Sequence, residues 1–293
     1  MTHAFTKSMT RTRILGLIRL FRFELPFSAA VCVILGEFLG AGEVPGLTEL
    51  ILGSLSYFFI SATALILNDL FDLEIDRVNA PGRPLPSGMV TKRDVIVLSM
   101  VVALLGLICA ALIGTTEFLV VLVVWVVGVA YNWRFKRTGL IGNLMVAFSV
   151  GSTFVFGGIV VGHPTDIVVW WFGVIAFLMD LGEEIAADAM DMEGDALIGS
   201  RSLAIVLGQR KALMISGSLF SALVVVSILP FVFAWLPLAY LAPIVLMDTI
   251  ILYSTFRLLS PNPRNPRKYI RWIYLGATFA IVVVILMQLL LRA

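Results

Sequence analysis

Charge is scarce in this chain. Only 14% of its 293 residues are Asp, Glu, Lys or Arg, 60% are hydrophobic, and mean hydropathy is +1.01. A soluble domain of this length carries about a quarter charged residues, so a water-soluble globule is excluded. Absent too are segments of about ten residues with alternating polarity, which rules out an outer-membrane barrel. No stretch between apolar runs is long enough for a soluble domain. No cleavage-like site follows the basic N-terminus (Lys7, Arg11, Arg13, Arg19, Arg22), so no removable leader is expected. The two cysteines, Cys32 and Cys109, lie inside apolar runs and read as core thiols.

What the chain does have is apolar windows of 18 to 25 residues, recurring along its whole length. Each is long enough to cross about 30 Å of hydrocarbon. The spans fall at about 15–40, 46–70, 94–114, 117–133, 140–162, 166–187, 212–231, 235–258 and 270–291, with Gly/Pro turns at Gly42–Pro45, Gly114, His163–Pro164 and Pro230–Pro237. The expected fold is all-α: a single polytopic membrane domain of nine transmembrane helices in a bundle. Basic residues collect at the N-terminus and in 77–93, 134–137, 201–211 and 257–271. With nine spans, 20 of the 21 fall on one side and only Arg292 lies opposite. That side reads as the cytoplasm, with the N-terminus inside and the C-terminus outside.

A weak internal repeat is also present. Asp72, Asp76, Arg83, Gly88 and Arg93 recur 118 to 120 residues later as Asp191, Asp195, Arg201, Gly208 and Lys211. Four helices separate the copies, so the repeats, about 46–165 and 166–293, are parallel and emerge on the same face.

Each copy opens with an acidic cluster. "NDLFDLEID" holds Asp69, Asp72, Glu74 and Asp76; "DLGEEIAADAMDMEGD" holds Asp180, Glu183, Glu184, Asp188, Asp191, Glu193 and Asp195. Together these are 11 of the 19 acids in 24 residues. An isolated acid at the bilayer centre costs about 2.5–3.5 kcal/mol, so the clusters must be compensated. Asn68, Asp72 and Asp76 are spaced i, i+4, i+8; Glu184, Asp188, Asp191 and Asp195 are spaced i, i+4, i+7, i+11. Each set forms one stripe on a helix. Two stripes of hard oxygen donors suit Mg²⁺, which keeps waters and substrate phosphates in its shell, and the Asn68 amide oxygen ligates without adding charge. Asp69, Glu74, Glu183 and Glu193, off the stripes, read as cap or surface charges.

Cations follow each cluster: Arg77, Arg83, Lys92 and Arg93, then Arg201, Arg210 and Lys211. A third loop, "YNWRFKRTGLIGN", adds Arg134, Lys136 and Arg137. Carboxylates, Mg²⁺ and Arg/Lys together bind a polyphosphate. Arg134, Arg137, Arg210 and the group Arg264 to Arg271 read instead as anionic-lipid contacts.

"NDLFDLEID" resembles the first aspartate-rich motif, NxxxDxxxD, of the UbiA superfamily of intramembrane prenyltransferases, and "DMEGD" resembles its second, DxxxD. "RPLPSG", "SLAIVLG" and "YNWRFKRTGLIGN" look like segments that accompany those motifs, and the resemblance covers nearly the whole chain. It implies Mg²⁺-dependent transfer of a prenyl group from an isoprenyl diphosphate to an acceptor, in a cavity facing the cytoplasm. The two motif segments look most like those of archaeal ether-lipid members, which join geranylgeranyl diphosphate to geranylgeranylglyceryl phosphate. Members with aromatic acceptors share much of the wording. Related second motifs often read Arg-Glu-Ile-x-Lys-Asp, whereas this chain has Glu183 and Ala187 in place of the Arg and Lys.

The implied site places the diphosphate between the stripes. Two Mg²⁺ ions bridge it to Asn68, Asp72, Asp76, Asp191 and Asp195. Arg83, Lys136 and Arg201 form the expected clamp, with Arg22 of "FRFELP" a further candidate and Tyr131 a hydroxyl donor. Glu184 and Asp188 face the acceptor or support the metal. The implied partners are an isoprenyl diphosphate, a lipid or aromatic acceptor and membrane lipids, with no nucleic acid and no obligate protein partner. Asp248 reads as a buried hydrogen-bonding group and His163 as a loop residue. The rival class is a cation-coupled transporter, which would place acids near the midplane in helices broken by Gly or Pro; here the acids lie toward one face and basic loops follow them.

Overall fold

The computed structural model describes residues 2–197, 199–260 and 265–292; Arg264, among the basic residues above, lies outside them. Fourteen α-helices follow one another along the described residues, with no strand: α1 (Thr2–Leu20), α2 (Glu24–Ala41), α3 (Leu47–Phe71), α4 (Leu73–Asn79), α5 (Lys92–Ile113), α6 (Thr115–Trp133), α7 (Leu140–Val160), α8 (Ile167–Met190), α9 (Met192–Leu197), α10 (Leu203–Leu207), α11 (Gln209–Ser227), α12 (Leu229–Val232), α13 (Leu241–Leu258) and α14 (Pro266–Arg292). Among them, eight are long and apolar enough to cross a membrane: α2, α3, α5, α6, α7, α11 with α12, α13 and α14. The 24-residue α8 also matches an expected span, but the acids from Asp180 onward keep it out of that set.

One span differs from the expectation. Residues 15–40 form two helices: α1 stops at Leu20, and α2 starts at Glu24. Arg22, between them, takes φ 42°, a conformation that costs a non-glycine residue about 1–3 kcal/mol. An ion pair between its guanidinium and buried Asp69 offsets that cost.

The chain divides into two compact units, and the division falls inside α2. The first comprises the chain up to Val31 and Thr48–Trp133. Its core gathers Leu20, Ala62, Ile66, Leu73, Leu85, Val90, Val95 and Val102 from α1, α3, α4, α5 and the segment between α4 and α5. Thr91 and Asp94 form a reciprocal capping box that starts α5, and Arg13 of α1 pairs with the same Asp94.

The second unit comprises Cys32–Leu47 and the chain from Arg134 onward. Asp166 starts α8 by accepting from the backbone N–H groups of Val168 and Val169 at 2.9 and 3.0 Å. Small residues then bring backbones close, as in other membrane bundles. A Cβ on Gly151 of α7 would lie 2.7 Å from the Gly173 carbonyl of α8. The Ser216 hydroxyl of α11 donates to the Gly182 carbonyl of α8 at 2.6 Å. Asp248 of α13, 7% exposed, accepts from the Ser227 hydroxyl of α11 at 2.6 Å; it is a buried hydrogen-bonding group, as the sequence suggested.

Candidate active site

The first acidic segment lies where α3 gives way to α4. Asp72 occupies the junction, but its backbone N–H still bonds the Asn68 carbonyl at 2.9 Å, and that of Asp76 bonds the Asp72 carbonyl at 2.8 Å. Helical hydrogen bonding therefore runs through the break and preserves the i, i+4, i+8 phase. The second segment repeats this local pattern. Asp191 sits between α8 and α9, its N–H bonds the Ala187 carbonyl at 3.1 Å, and the Asp195 N–H bonds the Asp191 carbonyl at 3.0 Å. Gly88 and Gly208, downstream of each segment, both take positive φ, 77° and 88°.

In the first unit the structure brings Arg22, Arg83 and Asp76 together through a residue the sequence reading passed over. Asp69, read as a surface charge, is 1% exposed and pairs with Arg22. Arg83 Nη1 lies 2.5 Å from Asp76 Oδ2 and 3.8 Å from Asp69 Oδ1. Two carboxylates thus share two guanidinium groups. Burying Asp69 alone would cost several kcal/mol, which the pairing offsets. Asn68 donates to the Asn132 side chain at 3.2 Å, and Tyr131 precedes Asn132 on the last turn of α6.

In the second unit, Asn143 of α7 donates to Asp188 Oδ2 at 2.9 Å. Lys136, in the short 3₁₀ turn Phe135–Thr138, acts electrostatically on Glu184 and on Asp195. Arg267 of α14 pairs with Asp191. Burial raises the Asp195 carboxyl above its ordinary range and the Asp191 charge adds to this, while a Ser202 hydrogen bond and Lys136 pull it down. Arg201 is exposed; its backbone N–H bonds the Arg137 carbonyl at 2.9 Å. That bond fixes the loop before α7 at Gly139, whose φ is 69° and whose absent Cβ would overlap the Arg201 carbonyl. Gly139→Ala is expected to cost about 2–3 kcal/mol from these two strains together, read as a lowered thermal midpoint.

The oxygen donors fit Mg²⁺ by type, since all are carboxylates or an amide. Among the described residues, no three His, Cys, Asp or Glu side chains converge to hold a metal by themselves. Sequence reasoning missed Asp69, Asn132, Asn143 and Arg267 as site residues. The amides carried a usable signal, being polar side chains at the ends of apolar helices. Arg267 carried none, because it lies in a basic stretch typical of lipid contacts.

Apolar helices with acids and arginines gathered at their ends define a polytopic membrane protein. Residues 29–279 match the UbiA prenyltransferase family, and the chain belongs to it. It is a prenyltransferase. The digeranylgeranylglyceryl phosphate synthase of Thermococcus kodakarensis is 34% identical over 265 residues, 90% of this chain and 94% of that one. A solved structure concerning digeranylgeranylglyceryl phosphate synthase is 28% identical, with TM-score 0.78, covering 92% of this chain and 98% of that chain. A UbiA homologue from Archaeoglobus fulgidus, bound to GPP and Mg²⁺, shares the fold at TM-score 0.66 and 21% identity over 91% of this chain and 97% of that chain.

Proposed function

We propose that this prenyltransferase moves a geranylgeranyl group from geranylgeranyl diphosphate to the free hydroxyl of geranylgeranylglyceryl phosphate. The observation that carries the reading is the near full-length similarity to the Thermococcus kodakarensis synthase, at 34% identity. Asn68, Asp72, Asp76, Asp191 and Asp195 would hold two Mg²⁺ ions, which neutralise charge on the diphosphate. Arg83, Lys136 and Arg201, with Arg22 and Tyr131, bind the remaining phosphate oxygens and stabilise the leaving group as the allylic C–O bond breaks. The acceptor oxygen bonds to the freed carbon, and its proton passes to Asp188 or Glu184. Apolar helices keep water from the cationic carbon meanwhile.

The reading includes nine spans in one domain with two parallel repeats, supported by the matching junctions at Asp72 and Asp191 and by the paired glycines. It puts the N-terminus and a cavity holding the acidic segments on the cytoplasmic side, and the C-terminus outside. The charge count along the loops supports this orientation.

Asn143 fixes one oxygen of Asp188 and leaves the other for the acceptor hydroxyl. A hydrogen bond to a charged group contributes about 1.5–3 kcal/mol. Asn143→Ala is therefore expected to lower kcat by about tenfold or more while leaving KM for the donor unchanged, as steady-state kinetics will show. For acceptor identity, purified protein in nanodiscs is given Mg²⁺, labelled geranylgeranyl diphosphate and a panel of acceptors. Product is expected with geranylgeranylglyceryl phosphate. Product with an aromatic acid and none with the glyceryl phosphate would replace this reading with the aromatic-acceptor one.

A further inference from the structure

We infer that Asn132 is a positioning residue that turns the amide oxygen of Asn68 toward a divalent cation; the inference rests on the reading of Asn68 as a ligand. A primary amide has two ends of nearly equal size, an acceptor oxygen and a donor NH₂. Only the oxygen binds a cation. An Asn free to flip would present NH₂ for part of the time, with its positive end facing the ion.

Asn132 removes that freedom, and backbone carbonyls decide the outcome. Its Nδ2 lies 3.1 Å from the Ala64 carbonyl oxygen and 3.0 Å from that of Gly128. A carbonyl can only accept, so the end of Asn132 that faces both must be the NH₂. Flipping the amide would set three oxygens against one another in a buried place, since Asn132 is 6% exposed. The Oδ1 of Asn132 is thereby fixed as the group that faces Asn68, 3.2 Å from its Nδ2. An acceptor there requires Asn68 to turn its NH₂ inward, which leaves its oxygen on the opposite edge.

The geometry follows from spacing on two helices. Ala64 and Asn68 are one turn apart on α3, and Gly128 and Asn132 one turn apart on α6, so each pair shares a helix face. Gly128 and Ala64 let the helices approach closely enough: a Cβ on Gly128 would lie 3.6 Å from Ala64 Cβ. The relay is complete within the first unit. Asn132 touches no reacting atom and acts only through Asn68.

The test is binding of Mn²⁺, as a paramagnetic substitute for Mg²⁺, to the full chain in nanodiscs with inorganic diphosphate, followed by electron paramagnetic resonance. Asn132→Ala is expected to weaken Mn²⁺ by about tenfold or more, the usual effect of losing a group that orients a ligand. Asn68→Ala should weaken it at least as much, and the double variant should be no weaker than Asn68→Ala alone. The sharper arm uses Asn68→Asp, whose two oxygens need no orientation. In that background Asn132→Ala should leave Mn²⁺ affinity equal or tighter, because it removes an oxygen facing the carboxylate. Recovery there also shows that loss of the Asn132 side chain does not unfold the protein. If Asn68→Ala weakens Mn²⁺ but Asn132→Ala does not, this inference is overturned and the ligand reading stands. Equal weakening by Asn132→Ala in both backgrounds would show a merely structural role and overturn it too. Unchanged affinity in Asn68→Ala would overturn the ligand reading and the inference with it.

Discussion

Replacing Asp191 or Asp72 by Ala is expected to lower prenyl transfer by about a hundred- to a thousandfold. On the proposed reading each removes an anionic oxygen donor from the group that stabilises the leaving diphosphate, and loss of one such stabilising contact costs about 2.7–4 kcal/mol. The stability effect should be different. Asp191 is 56% exposed and its partner Arg267 72% exposed, and such surface pairs contribute about 0–1 kcal/mol. Asp191→Ala should therefore melt close to wild type. Asp69→Ala is the contrast. It leaves Arg22 and Arg83 without the buried carboxylate between them, and breaking such a pair costs about 3–5 kcal/mol. Single-turnover assays with labelled donor and thermal melts separate the two classes. Full turnover in both Asp72→Ala and Asp191→Ala would remove these residues from the chemistry.

The second large effect concerns packing. Gly157 of α7 faces the Val33 carbonyl and the Glu37 N–H of α2, while Gly36 of α2 faces the Phe154 carbonyl of α7. Gly40 stands opposite Gly158, where a Cβ would lie 3.1 Å from the other glycine's Cα. "GEFLG" is thus a small-xxx-small face that lets two helices meet backbone to backbone. A side chain at 157 would meet main chain, which cannot turn aside as a rotamer can. Gly157→Val is expected to cost about 3 kcal/mol, the upper end for overpacking, and to shift much of the purified protein into aggregates on size exclusion. Gly82→Ala, with nothing within 4 Å of its added carbon, should change the melt little. A Gly157→Val protein as stable as wild type would contradict the close approach.

The apolar helices were legible because hydropathy over some twenty residues is a strong, local signal. The stripe through Asn68, Asp72 and Asp76 was legible despite a helix break, because i→i−4 bonds cross the junction at Asp72. The break at Arg22 was not legible. It depends on Asp69, 47 residues away, supplying a buried partner. Asp69 itself misled for the same reason: beside three other acids it looks solvated, and only the approach of two arginines allows it to be buried. Asn143 and Asn132 matter through what faces them on neighbouring helices, which periodicity along one helix cannot show.

One consequence of α8 concerns the lipid around it. Its uninterrupted apolar stretch runs only from Ile167 to Met179, 13 residues, or about 20 Å at 1.5 Å per residue. Hydrocarbon is about 30 Å thick. On the nine-span reading α8 falls short of that thickness, and a thicker membrane would draw Asp180 and Glu183 toward hydrocarbon, at a cost that grows with each ångström. Membrane thickness is thus also a mechanical load on the helix that carries four of the chain's 19 acids.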